Sequence, residues 1–490
     1  MARITSPSWL FMAMASIAIF LGTVSVAEAQ RLKVNPNSGH PRAASNVSGS
    51  GFAPSEAVDV YFDNTDTLLV VTTSTGVLPV RQLTVPASAT PGQHWVTAIG
   101  RKSGDAAQVA LTVSTDWKEV GFSTHGKRFN PYENVLTAGN VSGLDVAWST
   151  AIGADYSAPA VVDGVVYAGS ETDGIYALNA ITGATLWTVN TGAQVYASPA
   201  VANGIVYEGS TDKKLYALNA ATGAVVWTAT TGGSVQSSPA VANGMVYVGS
   251  NDAKVYAFNA ATGTVIWTAT TGGVVYSSPT VSNGVVYVGS ADHKIYALMA
   301  ATGAVLWTAT TGDIVTTSPS VANGRVYVGS YDGKIYALNA ATGAVVWTAT
   351  TGGSVQSSVA VANGVAYVGS DDNKVYALNA ATGAVIWTAT TGGFVYSSPA
   401  VSNGVVYAGS YDHNFYALNA ATGAVLWTAT TGDIVEGSPS VANGMVYVES
   451  YDRNVYAYAL DAGDNAAYKH GKTQPPSFST LHPDRGLKAS

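Results

Sequence analysis

The sequence predicts an all-β protein: an eight-bladed β-propeller of four-stranded antiparallel blades, closed by an N-terminal strand and preceded by a small β-sandwich. Three observations carry that expectation. The phrase "AATGAVVWTATTGG" at Ala220 returns at Ala340, and near-copies about 40 residues apart end in Trp187, Trp267, Trp307, Trp387 and Trp427. Each unit divides into four short β-branched or aromatic runs separated by turn residues. Gly occurs 52 times and charged residues make up only 11 %, a composition suited to many strands and tight turns.

Taken from the N-terminus, the first segment stands apart. Arg3 is the only charge before an apolar run from Leu10 to Val26, and Ala27-Glu28-Ala29 follows as a small-x-small cleavage site. Residues 1–29 are therefore expected to be a signal peptide, with an uncleaved anchor helix as the alternative, and Gln30 begins the mature chain. An exported location follows: periplasm, cell surface or medium. No later stretch is long and apolar enough to make a transmembrane helix.

Residues 31–114 lack the repeat. Short alternating runs separated by Pro, Gly and Ser turns, as in "VSGSGFAPSEAVDVYFD" and "LTVPASATPGQHWVTAIG", predict a small sandwich. Residues 115–143 read as a linker, and the polar tail 461–490 as extended or disordered.

Within one period, Ser237 to Gly272, "SSPAVAN" leads through Asn243-Gly244 to "MVYVGS", then "VYAFNA", then "TVIWTATTG". Asn-Gly between apolar runs is a strong hairpin signal, because both central residues must take positive φ. Neither face of this meander is properly polar, so radial stacking is needed to cover it. The first hairpin turn occurs eight times: Asp163-Gly164, then Asn-Gly at 203, 243, 283, 323, 363, 403 and 443. The repeat tryptophan occurs seven times from Trp187 to Trp427, Trp227 and Trp347 included. Trp148 lies 39 residues ahead of Trp187, so its strand completes the last unit and closes a propeller over 144–460.

Within "ALNAITGATLW", Ala177, Asn179, Thr182, Gly183 and Trp187 resemble the tryptophan-docking motif of the pyrroloquinoline-quinone (PQQ-like) propeller repeat. That resemblance implies that the tryptophans, Trp148 with the rest, pack between blades and stack on the glycine peptide of the motif. "GSGFAPSEAVDV" and "TPGQHWVTAIG" resemble exported Ig-like (IPT/TIG-type) bacterial domains, and 115–143 resembles the lead-in segment of PQQ-like propellers. The family's quinoprotein dehydrogenases hold PQQ on the axis beneath adjacent cysteines, with acidic and Asn ligands to calcium and an Asp base. This chain has no cysteine, which also excludes a lipidated N-terminal cysteine, zinc–thiolate sites and thiol-attached haem.

A second period of 120 residues overlies the first. Segments 221–340 and 341–460 agree at about four positions in five, which points to whole duplication of a three-unit segment. A catalytic centre needs unlike groups converging on one point, and near-copied units offer the same groups repeatedly. The candidate ligand-binding residues are Tyr156, Tyr196, Gln236, Tyr276, Gln356 and Tyr396, in the links before each first strand, with Asp313, Asp433 and Glu436 beside them. Aromatic and amide groups around an axis suit a sugar or peptide; inter-blade packing is the equal alternative. Asp155 is a further acid in these links. Asp313 and Asp433, 120 residues apart, are read as Asx-type turns, or otherwise as a polar rim or weak cation contact. Hairpin aspartates such as Asp252 and Asp372 read as turn formers, and His293 and His413 as solvated.

The net charge of −8 argues against nucleic acid as a partner. The expectation is an exported, non-catalytic propeller that binds a protein or glycan as a monomer, with no catalytic residue, cofactor or metal. A PQQ- and calcium-dependent oxidoreductase and a carbohydrate-binding propeller are the alternatives.

Overall fold

A computed structural model describes residues 30–154, 156–172, 174–460, 475–477 and 481. The expected signal segment, Asp155 and most of the expected tail lie outside these residues. The chain is all-β, and the longest helical piece among the described residues is the 3-10 turn Val141–Gly143.

The repeats form four-stranded antiparallel sheets in sequential order. The first consists of Ala160–Val162, Val165–Gly169, Ile175–Asn179 and Thr185–Val189. Six more follow, starting at Ala200, Ala240, Thr280, Ser320, Ala360 and Ala400, the last gaining Phe129–Asn130 as a fifth strand, parallel to its first. Asn243 (φ 51°) and Gly244 (φ 75°) both take the left-handed conformation that a two-residue hairpin requires, which explains the recurring Asn-Gly. One further sheet is discontinuous in sequence: Leu144–Ala154 pairs antiparallel with Arg453–Leu460, which continues into Met445–Ser450 and Ser440–Ala442. Trp148 stands opposite Ala457 in that register. Successive first strands touch in sequence, and Ala160–Val162 touches both Ala200–Ala202 and Ser440–Ala442. This is a propeller-like arrangement.

Each sheet buries its apolar face on the next through the repeat tryptophan. Trp307 lies against Gly343, where an added Cβ would come within 2.6 Å of the indole, and its Nε1–H donates to Ala340 O at 3.0 Å. The same contact joins Trp148 to Gly183 and Ala180, and Trp187 to Gly223 and Ala220. The glycine therefore belongs to the following unit and not to the tryptophan's own. Without a side chain it lets the indole lie flat on the peptide, which ties the motif's Gly and Trp together across the interface. Trp227, Trp267, Trp347 and Trp387 repeat it on Gly263, Gly303, Gly383 and Gly423.

The hairpin aspartates are more than turn formers. Asp292 Oδ2 accepts Tyr296 Oη–H at 2.5 Å and also the Gly272 N–H of the preceding sheet at 2.9 Å. Asp372 does the same with Tyr376 and Gly352. They are struts between sheets.

Residues 31–113 form two other sheets. Arg31–Asn35, Ala44–Ser50 and Leu78–Thr84 make one; Ala57–Phe62, Thr65–Val71, Gly92–Gly100, Ala106–Val113 and Ser38–Gly39 make the other. Val34, Val47 and Leu83 of the first share an apolar cluster with Val58, Val96 and Leu111 of the second. Gln108 Nε2 donates to Pro476 O at 2.9 Å, so the described piece of the tail returns to this region.

Candidate functional site

The innermost strands leave one backbone edge facing the axis, and the segment read as a linker satisfies it. Trp117 exchanges hydrogen bonds with Val161 (2.8 and 2.7 Å). The N–H groups of Val201, Val281, Val321, Val361 and Val401 donate in turn to the carbonyls of Lys118, Thr124, His125, Lys127 and Arg128. Asn130 Nδ2 reaches Val441 O at 2.8 Å. Residues 117–130 thus form a strap visiting successive sheets, near the Asn-Gly turns. An exposed row of strand N–H groups is costly or sticky, and the strap removes it. Its sequence shows no strand alternation because its partners lie on many different strands.

Two ionisable groups, one of them buried, come with the strap. Arg128 is buried and donates to Pro399 O (3.0 Å), Ser398 O (3.2 Å) and Val120 O (2.8 Å). Desolvation lowers its pKa to about 9. Burial raises the Glu119 carboxyl to about 8, partly offset by the Val241 N–H. Both line a small cavity with room for about one water. Beside it a serine belt links sheets: Ser238 N–H donates to Ser278 Oγ, Ser278 to Ser318, Ser318 to Ser358 and Ser358 to Ser398.

At the other end of the first strands the links meet the hairpin between the second and third strands. Here Tyr156 packs edge-on against Tyr196 (5.2 Å) and Tyr451 (5.0 Å). Tyr396 packs edge-on against Tyr411 at 4.5 Å, with Phe394 stacked beside it at 5.8 Å. Tyr411 donates its hydroxyl to Glu436. Tyr331 donates to Gln356 Oε1 at 2.6 Å, and Gln356 Nε2 donates to Asp371 Oδ2 at 3.1 Å. Burial raises the carboxyl pKa of both Glu436 and Asp371, against hydrogen bonds that lower it. Tyr156, Tyr276 and Phe394 are about 40 % exposed, so ring faces remain open to solvent.

Of the residues singled out in the sequence, Tyr156, Tyr196, Gln356, Tyr396 and Glu436 join this surface. Tyr276 lies within electrostatic reach of Tyr331. Among the described residues Gln236 joins none of these hydrogen bonds. Asp313 and Asp433 sit apart on the rim. Each accepts the N–H of the very next residue, Ile314 at 2.7 Å and Ile434 at 2.8 Å, where an Asx turn would bond the residue after that. Each also faces a half-exposed histidine, His293 at 3.9 Å and His413 at 3.8 Å.

Sequence reading missed Tyr331, Tyr411, Tyr451, Phe394 and Asp371. The signal was present: "SYD" opens the hairpin at 330, 410 and 450, where the other units carry Glu171, Thr211, Asn251, Ala291 or Asp371 after the serine. It also missed two buried carboxyls, visible as breaks in "VYVGS". Glu449 replaces the glycine and accepts Ser157 N–H (2.9 Å) and Oγ–H (2.6 Å). Gly437 makes room for it, since a Cβ there would lie 2.6 Å from Glu449 O. Glu208 is fully buried, and desolvation followed by the Glu449 charge holds its pKa well above the carboxylate range.

PQQ with calcium can be tested against these residues. Among the described residues no group of three His, Cys, Asp or Glu side chains could hold a metal ion. Asp371 and Glu436, the acids of the aromatic end, lie on different sheets and already accept hydrogen bonds from Gln356 and Tyr411. The basic groups of that end stand on the hairpins, where Lys214, Lys254, Lys334 and Lys374 are each already paired with the aspartate of their own turn. The donor set does not fit the pair.

A family model described as outer membrane protein assembly factor BamB matches residues 95–233, 171–279, 251–355, 332–433 and 397–478. The quinohemoprotein alcohol dehydrogenase of Comamonas testosteroni is 29 % identical over 105 residues, 21 % of this chain and 15 % of that protein. The chain thus spans a small part of that relative's length. Its crystal structure is similar with a TM-score of 0.63 at 18 % identity, covering 74 % of this chain and 82 % of that one. BamB from Moraxella catarrhalis is similar with a TM-score of 0.57 at 21 % identity, covering 64 % and 99 %.

Proposed function

The chain belongs to the PQQ-type propeller-repeat family whose model is described as outer membrane protein assembly factor BamB, and from that premise we propose an exported, non-catalytic binding propeller. One observation carries the reading: the end of the ring away from the strap presents open tyrosine faces with amide and carboxyl groups between them. Such a surface holds a protein or glycan by stacking and hydrogen bonding. The strap occupies the other end, which leaves the aromatic end as the free one.

In this reading the four-stranded sheets are eight blades over 144–460, and 31–114 is an Ig-like sandwich. The cycle of touching first strands and the pairing of Leu144–Ala154 with Arg453–Leu460 support the first. The apolar cluster shared by two sheets supports the second.

A glycan and peptide array probed with residues 30–490 tests the function. Binding that disappears in Tyr156→Ala or Tyr396→Ala is the expected result. The match to a quinohemoprotein alcohol dehydrogenase favours the oxidoreductase alternative. Dye-linked alcohol oxidation by the protein mixed with PQQ and calcium would establish that alternative and overturn this reading.

A further inference from the structure

The copies 221–340 and 341–460 are so alike that their differences are informative. Among the exchanges at link or hairpin positions of the aromatic end, four stand out: Asn251 against Asp371, Val274 against Phe394, Ala291 against Tyr411, and Thr316 against Glu436. Each makes the second copy more aromatic or more acidic. The outcome is a one-sided crescent in a repetitive ring. Phe394, Tyr396 and Tyr411 touch in turn, Tyr411 binds Glu436, and Tyr451 and Tyr156 continue the aromatic line. Asp371 lies behind it with Oδ1 buried and without a hydrogen-bond partner among the described residues.

Ring faces carry negative quadrupole potential and carboxylates add negative charge, and the hairpins of Tyr411 and Tyr451 carry Asn414 and Asn454 where the first copy has Lys294 and Lys334, with Arg453 the one basic residue gained there. Resting on the reading of this end as the binding surface, we propose that the crescent is a site for an organic cation. The ligand group is the ammonium or guanidinium of a small amine or of a basic peptide side chain. The rings supply cation–π contacts, and Glu436 and Asp371 supply charge and hydrogen-bond acceptors. A neutral sugar would use the rings and gain little from the carboxylates. An anion would be repelled.

Calorimetry at low ionic strength tests this with choline, butylguanidinium, tetralysine and the uncharged carbon analogue of choline as probes. The cations bind, the uncharged analogue binds at least about tenfold more weakly, and added salt weakens the cations. The double variant Glu436→Thr, Asp371→Asn weakens them about tenfold and leaves the analogue unchanged. Its residues already stand at the equivalent positions of the first copy, so folding is retained, as circular dichroism will check. Much tighter binding of tetralysine than of choline identifies the ligand as peptide; similar binding identifies a small amine. Equal binding of choline and its analogue, or cation binding unmoved by the double variant, overturns the cation proposal. If an array ligand is still lost in Tyr396→Ala, the binding surface survives that failure. If arrays and probes are all silent, both readings fall.

Discussion

Trp427 Nε1–H donates to the carbonyl of Leu144 at 2.8 Å, across 283 positions of sequence. Every earlier repeat tryptophan donates to an alanine carbonyl of the following unit, as Trp387 does to Ala420. No repeat motif follows Trp427 in the ring, so the N-terminal strand supplies the acceptor, and Phe415 and Tyr458 pack against the indole in place of a glycine peptide. Trp427→Phe keeps the ring and removes the donor, and should cost about 1 kcal/mol. Trp307→Ala, which also opens a cavity between sheets, should cost about 3–5 kcal/mol. Denaturant melts check both, and equal losses would mean that Trp427 is not held by this bond.

The same junction deprives a hydroxyl of its carbonyl acceptor. Tyr327 donates to Ala380 O at 3.0 Å, while among the described residues the buried Tyr407 hydroxyl has no carbonyl acceptor and only the Ser402 hydroxyl beside it. Tyr407→Phe should therefore be neutral or slightly stabilising, whereas Tyr327→Phe should lose about 1 kcal/mol. Matching losses in paired urea melts would show that Tyr407 finds a partner in solution.

Gly303 takes φ +73°, and a Cβ there would come within 2.5 Å of the Trp267 ring. Gly284 takes φ +77° with nothing within 4 Å. Gly284→Ala should show only the left-handed backbone penalty, about 1 kcal/mol, and Gly303→Ala clearly more. Thermal melts that rank them equally would remove the stacking argument.

Burial raises the Glu119 carboxyl to about 8, so it keeps in the folded state a proton that the unfolded chain releases near 4.5. Its contribution to stability is complete at low pH and is lost as pH rises through about 8. The thermal midpoint should fall as pH rises from about 4.5 to about 8 and level off above that, and Glu119→Gln should flatten that decline. Glu208, raised for the same reason, leaves a residual slope. An unchanged profile in Glu119→Gln would place the carboxyl in water.

The strand content and turn chemistry were legible because they are local. Asn-Gly demands two positive φ angles wherever it stands, and β-branched runs of four to six residues have few uses outside a sheet. The 40-residue period also announced that each unit must be covered by another. Tyr156, Tyr196 and Tyr396 could be picked out as candidates by their repeated place in the links. Which of them meet, and with what, was decided only by the fold. Tyr411 and Glu436 lie 25 positions apart on successive sheets, and Tyr156 and Tyr451 at opposite ends of the repeat array. The strap was invisible for the same reason: Lys118, Thr124 and Lys127 use backbone carbonyls, which every residue has, so their side chains record nothing of the partners. Local conformation is written residue by residue; contact between distant backbone and side-chain groups exists only once sheet packing has brought them together.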